Sequence, residues 1–212
     1  MKTTLKKIVS VIASMAAVAA ISVSSVSAAV NTIDAKAHVQ DKGTLRSTFH
    51  AGDVIGTTGE SRRLEKVWLK LNSTPFYSQK SSIGISTHQA NRGWVDFNDA
   101  PCGSWAVSGT EGQSRAIEAV KIRLHGDIER KCDVIYRAHV ADLGWLPAVA
   151  NGMVAGTTQQ GRRAEAIQVI IVPKNTGMYV PGRDGYGRLN GFQGFRDNGG
   201  YYGNDGFFDN RR

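Results

Sequence analysis

Only two cysteines, Cys102 and Cys132, occur in the 212 residues. That is too few for a disulfide scaffold or a thiolate-rich metal centre. There is no nucleophile elbow, no cluster of residues at metal-ligand spacing and no isolated pair of acids, so neither an enzyme nor a cofactor or metal is expected. Beyond the first thirty residues, no apolar run approaches the roughly 18–20 residues that span a bilayer. A Leu-Pro-x-Thr-Gly motif for covalent wall attachment is also missing. Basic and acidic residues are interleaved, with no run of one sign, and this argues against a nucleic-acid partner despite the net charge of +8. Helix signals are nearly absent.

The sequence opens with Lys2, Lys6 and Lys7 ahead of an apolar stretch from Ile8 to Val23, followed by small residues up to Val26-Ser27-Ala28. That is the layout of a secretory signal peptide over residues 1–28. Its removal leaves a chain of net charge +5, with 23 basic against 18 acidic residues, expected outside the cell or at its surface without membrane insertion. In that compartment Cys102 and Cys132 either close a disulfide, worth about 3 kcal/mol in the chain-entropy model, or remain two buried thiols.

The body is threefold repetitive. AKAHVQDKG at Ala35–Gly43, ISTHQANRG at Ile85–Gly93 and YRAHVADLG at Tyr136–Gly144 each place a His five residues before a Gly. Downstream, GTTGESRRLE, GTEGQSRAIE and GTTQQGRRAE begin at Gly56, Gly109 and Gly156, with an Arg six and a Glu nine residues after the Gly. Apolar residues alternate around both blocks, as in Val134, Tyr136, Ala138 and Val140 or Val67, Leu69 and Leu71. Period two is the strand signature, and the intervening Gly and Asn residues are turn formers. The length differences fall between the blocks, where the middle copy adds residues around Pro101-Cys102-Gly103, as loops allow.

Units of this size cannot bury an apolar face alone and must share a core. The expected fold is all-β, with pseudo-symmetric repeats at about 33–72, 83–124 and 134–172 forming one domain over residues 30–172. A β-trefoil-like closure is preferred and a β-prism is the alternative. Residues 173–212 are rich in Gly, Phe, Tyr and Arg, a composition that buries no core and predicts a disordered tail.

The Gly-Trp pairs, Gly93-Trp94 and Gly144-Trp145, and the Gly-Thr blocks ending in Glu118-Ala119 and Glu165-Ala166 resemble the clostridial hydrophobic-Trp repeat family. The first copy departs from the pattern, with Thr44 at the Trp position and Lys66 after its Glu. The resemblance implies a secreted or cell-surface protein of a Gram-positive bacterium, whose repeats bind polysaccharide or protein and have no activity of their own.

Trp94 and Trp145 are the natural candidates for ligand contact, because a flat indole stacks on the apolar face of a sugar, although a Trp that recurs just after a Gly at a strand end is more often a core plug. Trp68, between Lys66 and Lys70 on an outward face, and Trp105, beside the inserted loop, are further contacts. His38, His88 and His139 lie on the polar face of their strands and are expected to hydrogen-bond backbone or the repeat Glu rather than hold a metal. Arg62 with Glu65, Arg115 with Glu118 and Arg162 with Glu165 are expected as structural ion pairs, since acids recurring once per repeat do not form a catalytic couple. The function expected is a non-catalytic module for carbohydrate or another cell-envelope component, including a surface protein. The alternative is an extracellular matrix protein that self-associates through its tail or repeats.

Overall fold

The computed structural model describes residues 32–45, 47–72 and 80–174, so the leader expected from sequence and the expected tail beyond Lys174 lie outside the described residues, while Pro173, placed in the tail from sequence, ends the last strand. The first repeat comprises β1 (Ile33–Val39), β2 (Gly43–Thr44), β3 (Phe49–His50), β4 (Ile55–Gly56) and β5 (Leu64–Leu71). The second comprises β6 (Ser82–Gln89), β7 (Gly93–Trp94), β8 (Asn98–Pro101), β9 (Trp105–Gly109) and β10 (Ile117–His125). A single-turn helix, α1 (Asp127–Lys131), leads into the third: β11 (Cys132–Val140), β12 (Gly144–Trp145), β13 (Val149–Ala150), β14 (Ala155–Gly156) and β15 (Ala164–Pro173).

Each repeat builds its sheet on one long antiparallel pair: β1 with β5, β6 with β10, β11 with β15. The period-two pattern dictates the packing, because inward residues of facing strands meet in register. Ala35 faces Leu69, Ile85 faces Ile122 and Tyr136 faces Val169, and all six are fully buried. One apolar cluster links the inner faces of all three sheets, so the repeats share a core as their length requires. Burial of each large aliphatic chain contributes about 1.5–3 kcal/mol.

Closure comes from an exchange of short strands. β4 of the first repeat pairs with β15 of the third, β9 of the second with β5 of the first, and β14 of the third with β10 of the second. Each sheet is thus completed by the fourth strand of another repeat, in a cycle, giving three five-stranded sheets and a closed pseudo-threefold domain. The exchange explains why Gly opens every Gly-Thr block. Gly56, Gly109 and Gly156 have φ of +124°, +110° and +110°, and a Cβ at these positions would come within 2.4 Å, 2.2 Å and 2.4 Å of the carbonyl oxygens of Glu165, Glu65 and Glu118. The following amides of Thr57, Thr110 and Thr157 donate to those same oxygens at 3.0, 2.8 and 3.1 Å.

Candidate functional site

The repeat Glu is the extra residue of a β-bulge in all three copies: Val39 faces Leu64 while His38 faces Lys66, leaving Glu65 over, and the same shift isolates Glu118 and Glu165. A bulge re-aims its side chain. Here each carboxylate is buried beside the outward histidine: His38 lies 3.7 Å from Glu65, His88 2.8 Å from Glu118 and His139 3.2 Å from Glu165. Only His88 makes the expected hydrogen bond to its repeat Glu; His38 is at ion-pair distance alone and His139 Nδ1 sits beside Glu165 without a hydrogen-bond partner, the three histidines lying on three different sheets. Among the described residues, no group of three His, Cys, Asp or Glu side chains is arranged to hold a metal ion.

The Arg expected to pair with this Glu is displaced by one residue. Arg63 and Arg163, not Arg62 and Arg162, reach Glu65 and Glu165, at 2.6 and 2.9 Å. In extended chain, residues two apart share a side, whereas residues three apart do not. Arg62 and Arg162 instead turn back to Asp41 and Asp142 in the hairpin following the first long strand, at 2.9 and 3.1 Å. The second copy has Ala116 in the pairing position and Asn91 in the turn, so Arg115 has neither of these partners. Cys102 and Cys132 are not joined by a disulfide; Cys132 is buried, and partial burial pushes the Cys102 thiol up from its ordinary pKa.

Trp94 and Trp145 are half-buried and outside the core clusters, on the outer faces of their sheets. Each packs edge-on against the histidine it faces across the strand pair, with centroids 5.4 Å apart for His88–Trp94 and 5.3 Å for His139–Trp145. In the first copy Thr44 occupies this place, with its hydroxyl 3.1 Å from His38 Nδ1. A cation caps each ring: Lys121 Nζ lies 4.1 Å from the Trp94 centroid and the Arg137 guanidinium 4.5 Å from that of Trp145.

Trp68 and Trp105 also carry cations, as does Phe97 under the guanidinium of Arg123 at 3.9 Å. Six such contacts in a domain this small far exceed the usual density of about one per 70–80 residues. They make the outer faces alternating aromatic and basic surfaces.

The most developed of these surfaces belongs to the second repeat. Trp94, Lys121, Phe97 and Arg123 form a strip that leads into a cleft of ≈ 390 Å³, lined also by His125, Glu129, Asn151 and Lys174. Arg123 makes two hydrogen bonds to Asp99, one of them 3.0 Å from Nε. That bond holds the Asp99 carboxyl below its ordinary pKa and raises that of Arg123, so the pair presents a fixed planar array of charged donors and acceptors beside the Phe97 ring. Gly84 makes room for it, since a Cβ there would lie 2.0 Å from Asp99 Oδ1. The volume falls in the range of small-ligand sites.

The sequence reading missed Phe97, Asp99, Arg123 and His125. The available signal was the enlarged middle connection, which carries Phe97 and Asp99 opposite the outward-alternating Lys121 and Arg123.

Fold and surface together define a three-repeat, all-β module whose outer faces carry caged aromatic side chains. The pattern of the clostridial hydrophobic W family matches residues 38–73, 88–126 and 139–173, and the chain belongs to that family. No curated protein and no solved structure matches the chain.

Proposed function

We propose that this protein is a secreted, non-catalytic module that binds carbohydrate of the cell envelope, with its principal site on the outer face of the second repeat. The observation that carries this reading is the strip Trp94–Lys121–Phe97–Arg123 running into the cleft, with the Asp99–Arg123 pair beside the ring. Aromatic faces bury the apolar C–H side of a sugar, while paired planar carboxylate and guanidinium groups satisfy its hydroxyls. Export of the chain is supported by the leader-like residues 1–28. The absence of catalysis is supported by the tie between each repeat Glu and its own histidine, which gives a symmetric structural role to the acids that would otherwise invite a catalytic one.

Sedimentation of the leaderless protein with insoluble polysaccharides and peptidoglycan tests the reading, with Phe97→Ala and Trp94→Ala variants checked for folding by circular dichroism. Retention of wild type and its loss in folded variants is expected. If wild type stays in solution with every polymer, the matrix-protein reading takes its place.

A further inference from the structure

The outer face of the first repeat's sheet differs from the other two. Along β5, Lys66, Trp68 and Lys70 alternate outward; the matched positions are Ala119, Lys121 and Arg123 in β10, and Ala166, Gln168 and Ile170 in β15. On the third repeat's sheet this region is an apolar patch of Ile135, Ile170 and Val172, with Ala51 of the first repeat packed against it. On the first repeat's sheet it is instead lysine and tryptophan, and strand exchange adds one more tryptophan. Trp105, from the second repeat, faces Lys70, which in turn faces Asp34. One row along, Val107 faces Trp68, which faces Lys36.

Two ammonium groups converge on one indole: Lys36 lies 4.8 Å and Lys70 4.9 Å from the Trp105 centroid. Lys66 caps Trp68 at 4.6 Å. Asp34 compensates Lys70 at 2.8 Å and Glu111 compensates Lys66 at 3.1 Å. Lys36 has no carboxylate partner among the described residues, so this face holds an uncompensated cation next to a compensated one on a shared ring. Like charges brought together in this way favour an anion placed between them.

The spacing narrows the chemistry. Lys66, Lys36 and Lys70 lie on successive rows of the sheet, two residues apart, or about 6.6 Å per step at the rise of a strand. A linear polymer with one negative charge per short unit meets such a ladder repeatedly. Lysines are compact point charges that suit phosphate without the bidentate geometry of arginine, and the two indoles offer apolar area to the C–H groups between charges.

We propose that this face is a second binding site, separate from the cleft, for a phosphodiester-linked polyol polymer, with Lys36, Lys66 and Lys70 on the phosphates and Trp68 and Trp105 on the polyol backbone. The site is composite, because β9 of the second repeat supplies Trp105 to the first repeat's sheet.

Calorimetric titration of the leaderless protein with soluble poly(glycerol phosphate), poly-glutamate and uncharged dextran tests it. Wild type is expected to bind poly(glycerol phosphate) with an affinity that falls as salt rises, by a log–log slope of about −2 for three lysines on a flexible chain. Lys36→Gln with Lys70→Gln should weaken that binding at least tenfold and flatten the slope. Trp105→Ala should weaken it with the slope retained, and Phe97→Ala in the cleft should leave it unchanged. The proposal is overturned if wild type ignores poly(glycerol phosphate), if poly-glutamate binds equally well, or if Phe97→Ala removes as much binding as the lysine changes. Retention on insoluble polysaccharide alongside any of those results would sink this site while leaving the cleft standing.

Discussion

Gly156 of the third repeat rests directly on the backbone of Glu118 in the second: a Cβ on Gly156 would lie 2.4 Å from the Glu118 carbonyl oxygen, the same oxygen that accepts the Thr157 amide. The relationship recurs between Gly56 and Glu165 and between Gly109 and Glu65, and these three contacts close the ring of repeats.

Gly156→Ala or Gly109→Ala should therefore cost about 3 kcal/mol or more, since a backbone clash adds to the strain of positive φ. Gly112→Ala is the control: its φ is +68° but nothing lies within 4 Å of the added Cβ, and about 1 kcal/mol is expected. Urea denaturation of the three variants distinguishes the two costs, and equal losses would refute the seam as the source.

Arg63 and Arg62 are neighbours with different duties. Arg63 is tied to a Glu65 carboxylate with only 6% side-chain exposure, whereas Arg62 bonds the exposed Asp41. Arg63→Ala should lose about 1–2 kcal/mol by leaving a buried charge with less compensation, and Arg62→Ala under about 1 kcal/mol. Thermal melts of the pair check the order; the reverse order would restore the pairing expected from spacing alone.

Much of this domain is legible in its sequence because long strands and fixed spacings leave a signal. Period two exposes the six long strands, and recurrence of His, Gly-Thr and Glu exposes the units. The bulge at Glu65 is hidden, because a one-residue insertion in the ladder leaves the sequence spacing unaltered, whereas the pairing of Arg63 with Glu65 follows from the two-residue alternation and was legible. The exchange of β4, β9 and β14 is equally silent: β4 and β14 are two-residue strands with too few positions to show a period or name a partner. Trp68 and Trp105 consequently read as unrelated features of different repeats, although they share one sheet.

Gly84→Ala is expected to preserve the fold while disturbing the cleft. The residue has an ordinary backbone conformation, and the added Cβ would meet the movable end of Asp99 rather than backbone. Asp99 must shift, releasing Arg123 from its two-bond contact. Melting should change by only a few degrees, corresponding to about 1 kcal/mol or less, while retention on polysaccharide falls. Unchanged retention would remove the Asp99–Arg123 pair from the site.

Tyr136 supplies an alkaline signature. Burial lifts its phenol from 10.0 to about 12, against the partial opposition of nearby backbone hydrogen bonds. Because the folded value exceeds the unfolded one, the linked stability is complete below pH 10 and disappears as pH rises towards 12. Denaturation midpoints should fall across that window in wild type and much less in Tyr136→Phe. The variant itself should lose about 1 kcal/mol at neutral pH with the hydrogen bond to the Met153 carbonyl. Parallel slopes in the two proteins would mean that other groups govern the alkaline limb.

The most direct test is a binding isotherm of the leaderless protein on whichever insoluble polysaccharide retains it, measured for wild type, Trp94→Ala and Trp145→Ala. If the cleft on the second repeat's sheet carries recognition, Trp94→Ala weakens binding about tenfold or more and Trp145→Ala less than about threefold, a gap of roughly 0.7 kcal/mol or more. Equal losses, or none in either, would contradict a site centred on the Trp94–Arg123 strip.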